Sequence, residues 1–260
     1  MLNLMNPMLL VTFLALSVLP GAAHASAPVT EWHVPVLMYH RIAPDRDMRD
    51  SIRDLVIRPG VFAAQLRILH DHGWRTITAE ALAKAMRDRV AVPRKTVVLT
   101  FDDGTQDVYT NAWPLMERHG YVGTFYLITS RTHRRTRATA YSMSQPQARD
   151  LAAAGNEIAN HTRDHVCLAN TSYGTAYHQI DGGAEDIEAF TDDRPITMAW
   201  PKGCFAGNTI RAAHDARTFL AFTTIPGCRE TLRGRLTTPR LRVSRSTTPA
   251  ELLRMVSRCG

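Results

Sequence analysis

Short apolar runs alternate with helical patterns along almost the whole chain, and this alternation limits the fold more than any other feature. The runs are Val34–Tyr39, Trp74–Ile77, Thr96–Phe101, Gly123–Ile128, Asn156–Asn160, Ile196–Trp200 and Phe219–Thr223. Between them apolar residues recur at helical spacing, as Phe62, Leu66 and Leu69 do within Pro59–His72. Further helices are predicted over Ala79–Arg87 behind a Thr78 cap, around Ala112–His119, over Gln145–Ala154 behind Ser144, and over Tyr177–Phe190, Asn208–Ala216 and Pro249–Val256. A chain patterned in this way builds βα units around a mainly parallel sheet, an α/β fold.

Residues 1–25 stand apart. An uncharged apolar run from Met8 to Leu19 is followed by Pro20 and the small-residue segment ending Ala23-His24-Ala25. This reads as a secretory signal peptide, too short for a comfortable membrane span, with cleavage before Ser26. The expectation is an exported chain, periplasmic or secreted, with no stable membrane insertion once the leader is removed. Residues 26–260, about 235 in number, are expected to form one domain. The leader contains no Asp, Glu, Lys or Arg, so the formal charge of +7 belongs to the remainder. The Arg residues are scattered, with their densest cluster at Arg131–Arg137, and nothing resembles a nucleic-acid-binding module. Four Cys in an oxidising compartment suggest one or two disulfides; Cys204–Cys228 is the first pairing considered.

Polar chemistry falls just past strand ends, where parallel α/β folds build their sites. His40, Asp102, Asp103, His161 and the segment Pro201–Gly203 are all so placed. In "GNEIANHTRDH" a helical turn would put His161 and His165 on one face, i to i+4. Taken alone, that pair reads as two surface or helix-capping histidines. Joined to Asp103 it makes two imidazoles and a carboxylate, a divalent-metal set that leaves positions open for water and substrate. The metal would also account for the adjacent carboxylates: Asp103 is neutralised by coordination and Asp102 stays free as a base.

"TFDDG" followed by "HTRDH" resembles the polysaccharide deacetylase family, the NodB-homology carbohydrate esterases. "VPVLMYHRI", "GTFYLI", "GNEIANHT", "AWPKG" and "PRLRVS" extend the resemblance over nearly the whole chain beyond the leader. The resemblance implies a distorted (β/α)7-type barrel and removal of N-acetyl groups from N-acetylglucosamine polymers such as an exopolysaccharide, a chitin-like glycan or peptidoglycan. It implies one divalent ion, zinc with cobalt and nickel as further candidates, held by Asp103, His161 and His165. Asp102 would be the general base. Thr162 would fix the His loop or bind an acetate oxygen, and the backbone N–H of Lys202, after Pro201, would help form an oxyanion hole.

The general acid is expected at His40, as in the branch resembling poly-β-1,6-N-acetylglucosamine deacetylases; a buried, hydrogen-bonded histidine is the alternative reading. Trp200 is expected to line the sugar pocket. Lys202 stands where an aromatic residue is common, and Met198 where many members carry an Arg that orients the base. Those departures keep two other readings open, a non-catalytic glycan-binding protein and an esterase or amidase acting on a small acetylated substrate.

Overall fold

Every residue of Val36–Tyr39, Thr96–Phe101, Thr124–Leu127 and Glu157–Asn160 is buried, as strands covered on both faces must be. The computed structural model describes residues 28–45, 50–132 and 142–259. Its elements run β1 (Glu31–Trp32), β2 (Val36–Tyr39), β3 (Arg41–Ile42), β4 (Val56–Ile57), α1 (Pro59–Asp71), β5 (Arg75–Ile77), α2 (Ala79–Asp88), β6 (Thr96–Phe101) and α3 (Trp113–Glu117). They continue through β7 (Thr124–Leu127), α4 (Gln145–Ala153), β8 (Glu157–Asn160), α5 (Tyr173–Thr191), β9 (Thr197–Ala199), α6 (Gly207–Asp215), β10 (Leu220–Pro226), β11 (Glu230–Thr231), β12 (Thr238–Arg242) and α7 (Pro249–Ser257).

Seven parallel strands form a closed ring in the order β2-β12-β10-β9-β8-β7-β6, with β6 returning to β2. Across that closure Leu37 lies opposite Leu99. β5 pairs with the start of β6, Arg75 opposite Thr96. The result is a distorted (β/α)7 barrel in a single domain.

One helix closes an end of the barrel. Ala79, Leu82, Ala83 and Met86 of α2 pack on Val36, Val98, Tyr126, Ala159, Ala199 and Phe222 from the strands. The α2 N-terminus is tied to the first residues of two strands: Ala79 N donates to Thr124 Oγ1 at 2.8 Å, and Glu80 N to Glu157 Oε2 at 2.8 Å. With the N-terminal mouth plugged, the C-terminal rim is left for chemistry.

The caps predicted at Thr78 and Ser144 form, and Thr248 supplies a third. The Thr78 hydroxyl accepts from Ala81 N, the Thr248 hydroxyl from Glu251 N, and Ser144 shares a capping box with Gln147. Besides the two-residue strands β1, β3, β4 and β11, which have no predicted counterpart, three elements differ. α5 begins at Tyr173 rather than Tyr177, because the Ser172 hydroxyl accepts from Thr175 N at 3.1 Å and starts the helix ahead of its apolar pattern. The predicted helix over Ala112–His119 is a π turn over Val108–Ala112 leading into the short α3; Pro114, which has no N–H to donate to residue 110, sits at the junction. β12, which overlaps the "PRLRVS" stretch, has no counterpart among the predicted strands.

The disulfides are Cys167–Cys204 and Cys228–Cys259, with Cα separations of 5.2 and 5.8 Å, so the expected Cys204–Cys228 pairing is corrected. Sequence spacing says nothing about which loops the barrel brings together. The predicted signal peptide and most of the Arg131–Arg137 cluster lie outside the described residues. Among those described, no helix is long and apolar enough to cross a membrane.

Candidate active site

β6 ends in the two carboxylates. Asp102 N donates to Tyr39 O at 3.0 Å, extending the pairing with β2 by one residue. The chain then turns through two left-handed residues, Asp103 (φ 74°) and Gly104 (φ 60°). A Cβ at Gly104 would lie 2.6 Å from Leu127 Cδ2, so the turn fits only glycine there. This reversal separates the neighbouring carboxylates into different surroundings. The Asp103 side chain is 26% exposed, whereas Asp102 is buried.

His161 and His165 meet Asp103 from β8, but through a loop rather than the expected helical turn. Thr162 (φ 64°) and His165 (φ 59°) are both left-handed, a rare state for a β-branched residue such as threonine. The surrounding structure imposes it. Asn160 donates from Nδ2 to Ile180 O at 2.7 Å and accepts at Oδ1 from Thr162 N at 2.8 Å. Arg163 N and Asp164 N donate to Gln179 O and Oε1 at 3.2 and 3.0 Å. α5 can approach so closely because residue 183 is glycine: a Cβ there would lie 2.5 Å from Asn160 Oδ1 and 3.2 Å from the Thr162 carbonyl carbon.

The outcome is a compact donor set. One ligand atom each from Asp103, His161 and His165 lies within 4.8 Å of the others, with His161 Nε2 and His165 Nε2 at 3.5 and 3.3 Å from Asp103 Oδ1. His161 Nδ1 lies 2.8 Å from Ala199 O, a bond that makes Nδ1 the donor and frees the Nε2 lone pair for a cation. Burial lowers the His165 pKa to about 4, with the His161, Arg131 and Lys202 charges acting in the same direction, so this imidazole is neutral and able to ligate. At His161 burial works the other way from its partners, but the Asp103 hydrogen bond and the charges of Asp102 and Asp103 win, raising its pKa. Two imidazoles and a carboxylate whose ligand atoms converge in this way fit a divalent ion of the zinc type.

Asp102 has a partner that the sequence reading missed. Arg240, fully buried in β12, grips both carboxylate oxygens, Nη1 to Oδ1 and Nη2 to Oδ2, each at 2.7 Å. Two further donors are held, Nε by Thr223 O at 3.0 Å and the second Nη1 N–H by Thr100 Oγ1 at 3.0 Å. Burial alone would raise the Asp102 pKa; the Arg240 charge and its hydrogen bonds outweigh that and hold it below the ordinary carboxylate range. Met198 therefore leaves no gap, because the guanidinium arrives from another strand. The signal in the sequence was the period-2 placement of Arg240 on the same face as Thr238 inside "TPRLR".

His40 follows β2 and is half-buried, with Nδ1 buried and without a partner among the described residues. Burial lowers its pKa, against the opposing charges of Asp102 and Asp103. The next residue is anchored to the Asp loop: Arg41 Nε donates to Asp107 Oδ2 at 2.7 Å and Ile42 N to Asp107 Oδ1 at 2.9 Å. The buried Thr162 hydroxyl accepts from His165 N at 3.2 Å, which engages it inside the His loop.

Trp200 departs from its expected place. Its indole is fully buried against Phe205 and donates to Leu236 O at 2.8 Å, so it packs beneath the turn and does not wall a pocket. Pro201 is buried above it, and Lys202 (φ 58°) is exposed.

A plugged parallel barrel whose open mouth combines a metal-ligand set with a separately held carboxylate belongs to the hydrolases. Residues 89–218, half of the chain, match the family model described as polysaccharide deacetylase, and the chain belongs to that family. Among its relatives is the Bacillus subtilis protein YxkH, named for the same activity, 25% identical over 211 residues, which are 81% of this chain and 71% of that one. The poly-β-1,6-N-acetyl-D-glucosamine N-deacetylase of Staphylococcus epidermidis is 23% identical over 194 residues, 68% of this chain and 67% of that one. Among solved structures, the Streptococcus pyogenes deacetylase PplD in complex with acetate shares the fold with a TM-score of 0.79 at 24% identity, covering 88% of this chain and 99% of that one.

Proposed function

We propose that the chain is an exported, metal-dependent hydrolase that removes N-acetyl groups from an N-acetylglucosamine-containing polysaccharide. The observation that carries this reading is the approach of Asp103, His161 and His165 ligand atoms to within 4.8 Å beside an Asp102 held ionised by Arg240. A divalent ion bound there supplies Lewis acidity and a water of lowered pKa. Asp103, His161 and His165 would hold that ion, and Asp102 accepts a proton from the water whose oxygen attacks the acetamide carbon. The backbone at Lys202 donates to the oxyanion that develops, a contribution typical of preorganised donors. His40 delivers to the leaving nitrogen the proton that the attacking water released, as the C–N bond breaks, giving acetate and a free amine.

Arg240 supports a catalytic over a merely glycan-binding reading, because it supplies the charge that Met198 lacks. Two cystines support export through an oxidising compartment. The S. epidermidis relative supports a poly-N-acetylglucosamine substrate.

The test is acetate release, with zinc or cobalt, from poly-β-1,6-N-acetylglucosamine, chitin oligomers and peptidoglycan, alongside an aryl acetate. Metal-dependent release from a glycan is expected. Turnover of the aryl acetate alone would favour the small-substrate reading, and no release from any of them would remove the enzymatic one. In His40→Gln the loss should fall on amide substrates far more than on the aryl acetate, whose leaving group needs no proton.

A further inference from the structure

The ligand His165 and the turn carrying Lys202 lie on different loops, β8–α5 and β9–α6, and one cystine joins them. Cys167 follows His165 by two residues, Cys204 follows Lys202 by two, and their Cα atoms are 5.2 Å apart. Before His165 the loop is tied to α5 through Asn160, Arg163 and Asp164. After it, Val166 is 37% exposed, and the first firm tie is the cystine itself. His165 and Lys202 both hold left-handed backbone without being glycine. Such conformations persist only where the surroundings over-determine them. On the Lys202 side Gly203 (φ 70°) is pressed against the Thr224 side chain, so that turn has a rigid seat on β10 to which the cystine can fasten the His loop.

We propose that Cys167–Cys204 is a positioning cystine for the reaction: it holds His165 at ligating distance from Asp103 and keeps the Lys202 turn in register with the same centre. This rests on the metal-dependent reading above. The second cystine provides a matched control. Cys228–Cys259 spans 31 residues against 37, so loss of either releases a similar loop in the unfolded chain. Cys228 follows β10 and Cys259 follows α7, and neither adjoins a ligand in sequence. A purely stabilising role predicts the same consequences for both; a positioning role separates them.

The experiment compares zinc affinity, by competition with a chromophoric chelator, for the oxidised wild-type chain, Cys167→Ser/Cys204→Ser and Cys228→Ser/Cys259→Ser, with thermal unfolding of each metal-free form. We expect the zinc Kd of the first variant to rise about tenfold or more, in the range seen when a ligand loses its outer support. The second should stay within about twofold of wild type while losing a similar amount of thermal stability. Wild-type affinity in the first variant, or equal weakening in both, overturns the proposal. If the first variant fails to fold, the wild-type chain with this cystine alone reduced by a phosphine and capped with iodoacetamide, then freed of reagent, is measured against the same criterion. A wild-type chain that binds no zinc would instead remove the metal reading, a result distinct from tight binding that is indifferent to the cystine.

Discussion

Replacing Arg240 by Met should uncouple the proposed base from its charge without opening a large cavity. Asp102 is 3% exposed and Arg240 is fully buried, with both oxygens gripped at 2.7 Å. Removing one partner of a buried ion pair costs about 3–5 kcal/mol, because the other charge is left unpaired. For a domain of this size that is a fall in Tm of roughly 10 °C. The cost depends on pH with a definite sign. In the wild type Asp102 has a lowered pKa, so its contribution is present above the unfolded carboxylate pKa and is lost as pH falls. In Arg240→Met, burial without the guanidinium pushes the carboxyl up, so it keeps its proton well into the range where wild type is ionised.

The stability gap between the two proteins should therefore widen as pH rises from 4 to 8, and the acid limb of kcat/KM for deacetylation should move to higher pH. Arg240→Lys keeps the charge but not the fork, so it should move the limb less. A cycle with Asp102→Asn should return a coupling energy of about 2 kcal/mol or more. An acid limb in Arg240→Met that coincides with wild type, together with an additive cycle, would refute the assignment of Arg240 as the group that keeps Asp102 ionised.

Glu157, at the plugged end of the barrel, is pushed up to about 7 by burial, although Thr197, Glu80 N and Thr124 all donate to it. The folded carboxyl keeps a proton that the unfolded one, at 4.5, gives up, so stability should fall by about 3 kcal/mol as pH rises from 4.5 to 7. Denaturant titrations should show Glu157→Gln with a flatter profile in that window, and an unchanged slope would count against the shift. Gly183→Ala should drive a Cβ into Asn160 and the Thr162 carbonyl, costing about 1–3 kcal/mol and weakening zinc binding through the His loop; isothermal titration at wild-type affinity would contradict this. Asp103→Ala should abolish tight zinc binding while leaving the far-ultraviolet circular dichroism of the barrel unchanged.

The alternating pattern was enough to place most strands and helices, because apolar period and caps such as Thr78 and Ser144 are local signals. Asp102, Asp103 and His161 were legible for a related reason, since each follows a strand and parallel strands deliver their ends to one rim; His165 was legible through its spacing from His161. What could not be read depends on ring closure. Arg240 looks like surface charge until β12 inserts between β10 and β2 and carries it to a carboxylate 138 residues away. Trp200 carries the same lesson in reverse, since an aromatic beside a site is a wall or a foundation according to how its own strand is covered. The approach of His161 to His165 through left-handed residues, and the choice of cystine partners, likewise rest on contacts with α5 and the β9–α6 turn that no local spacing encodes.

The most direct test of the central claim is a zinc titration of the chelated, metal-free chain, read as acetate release from poly-β-1,6-N-acetylglucosamine oligomers. Asp102, Asp103, His161 and His165 acting as one centre require that release rise in proportion to added zinc and break at one equivalent per chain, with Asp103→Ala flat throughout. Full activity in the chelated wild-type chain, or equal activity in Asp103→Ala, would contradict that account.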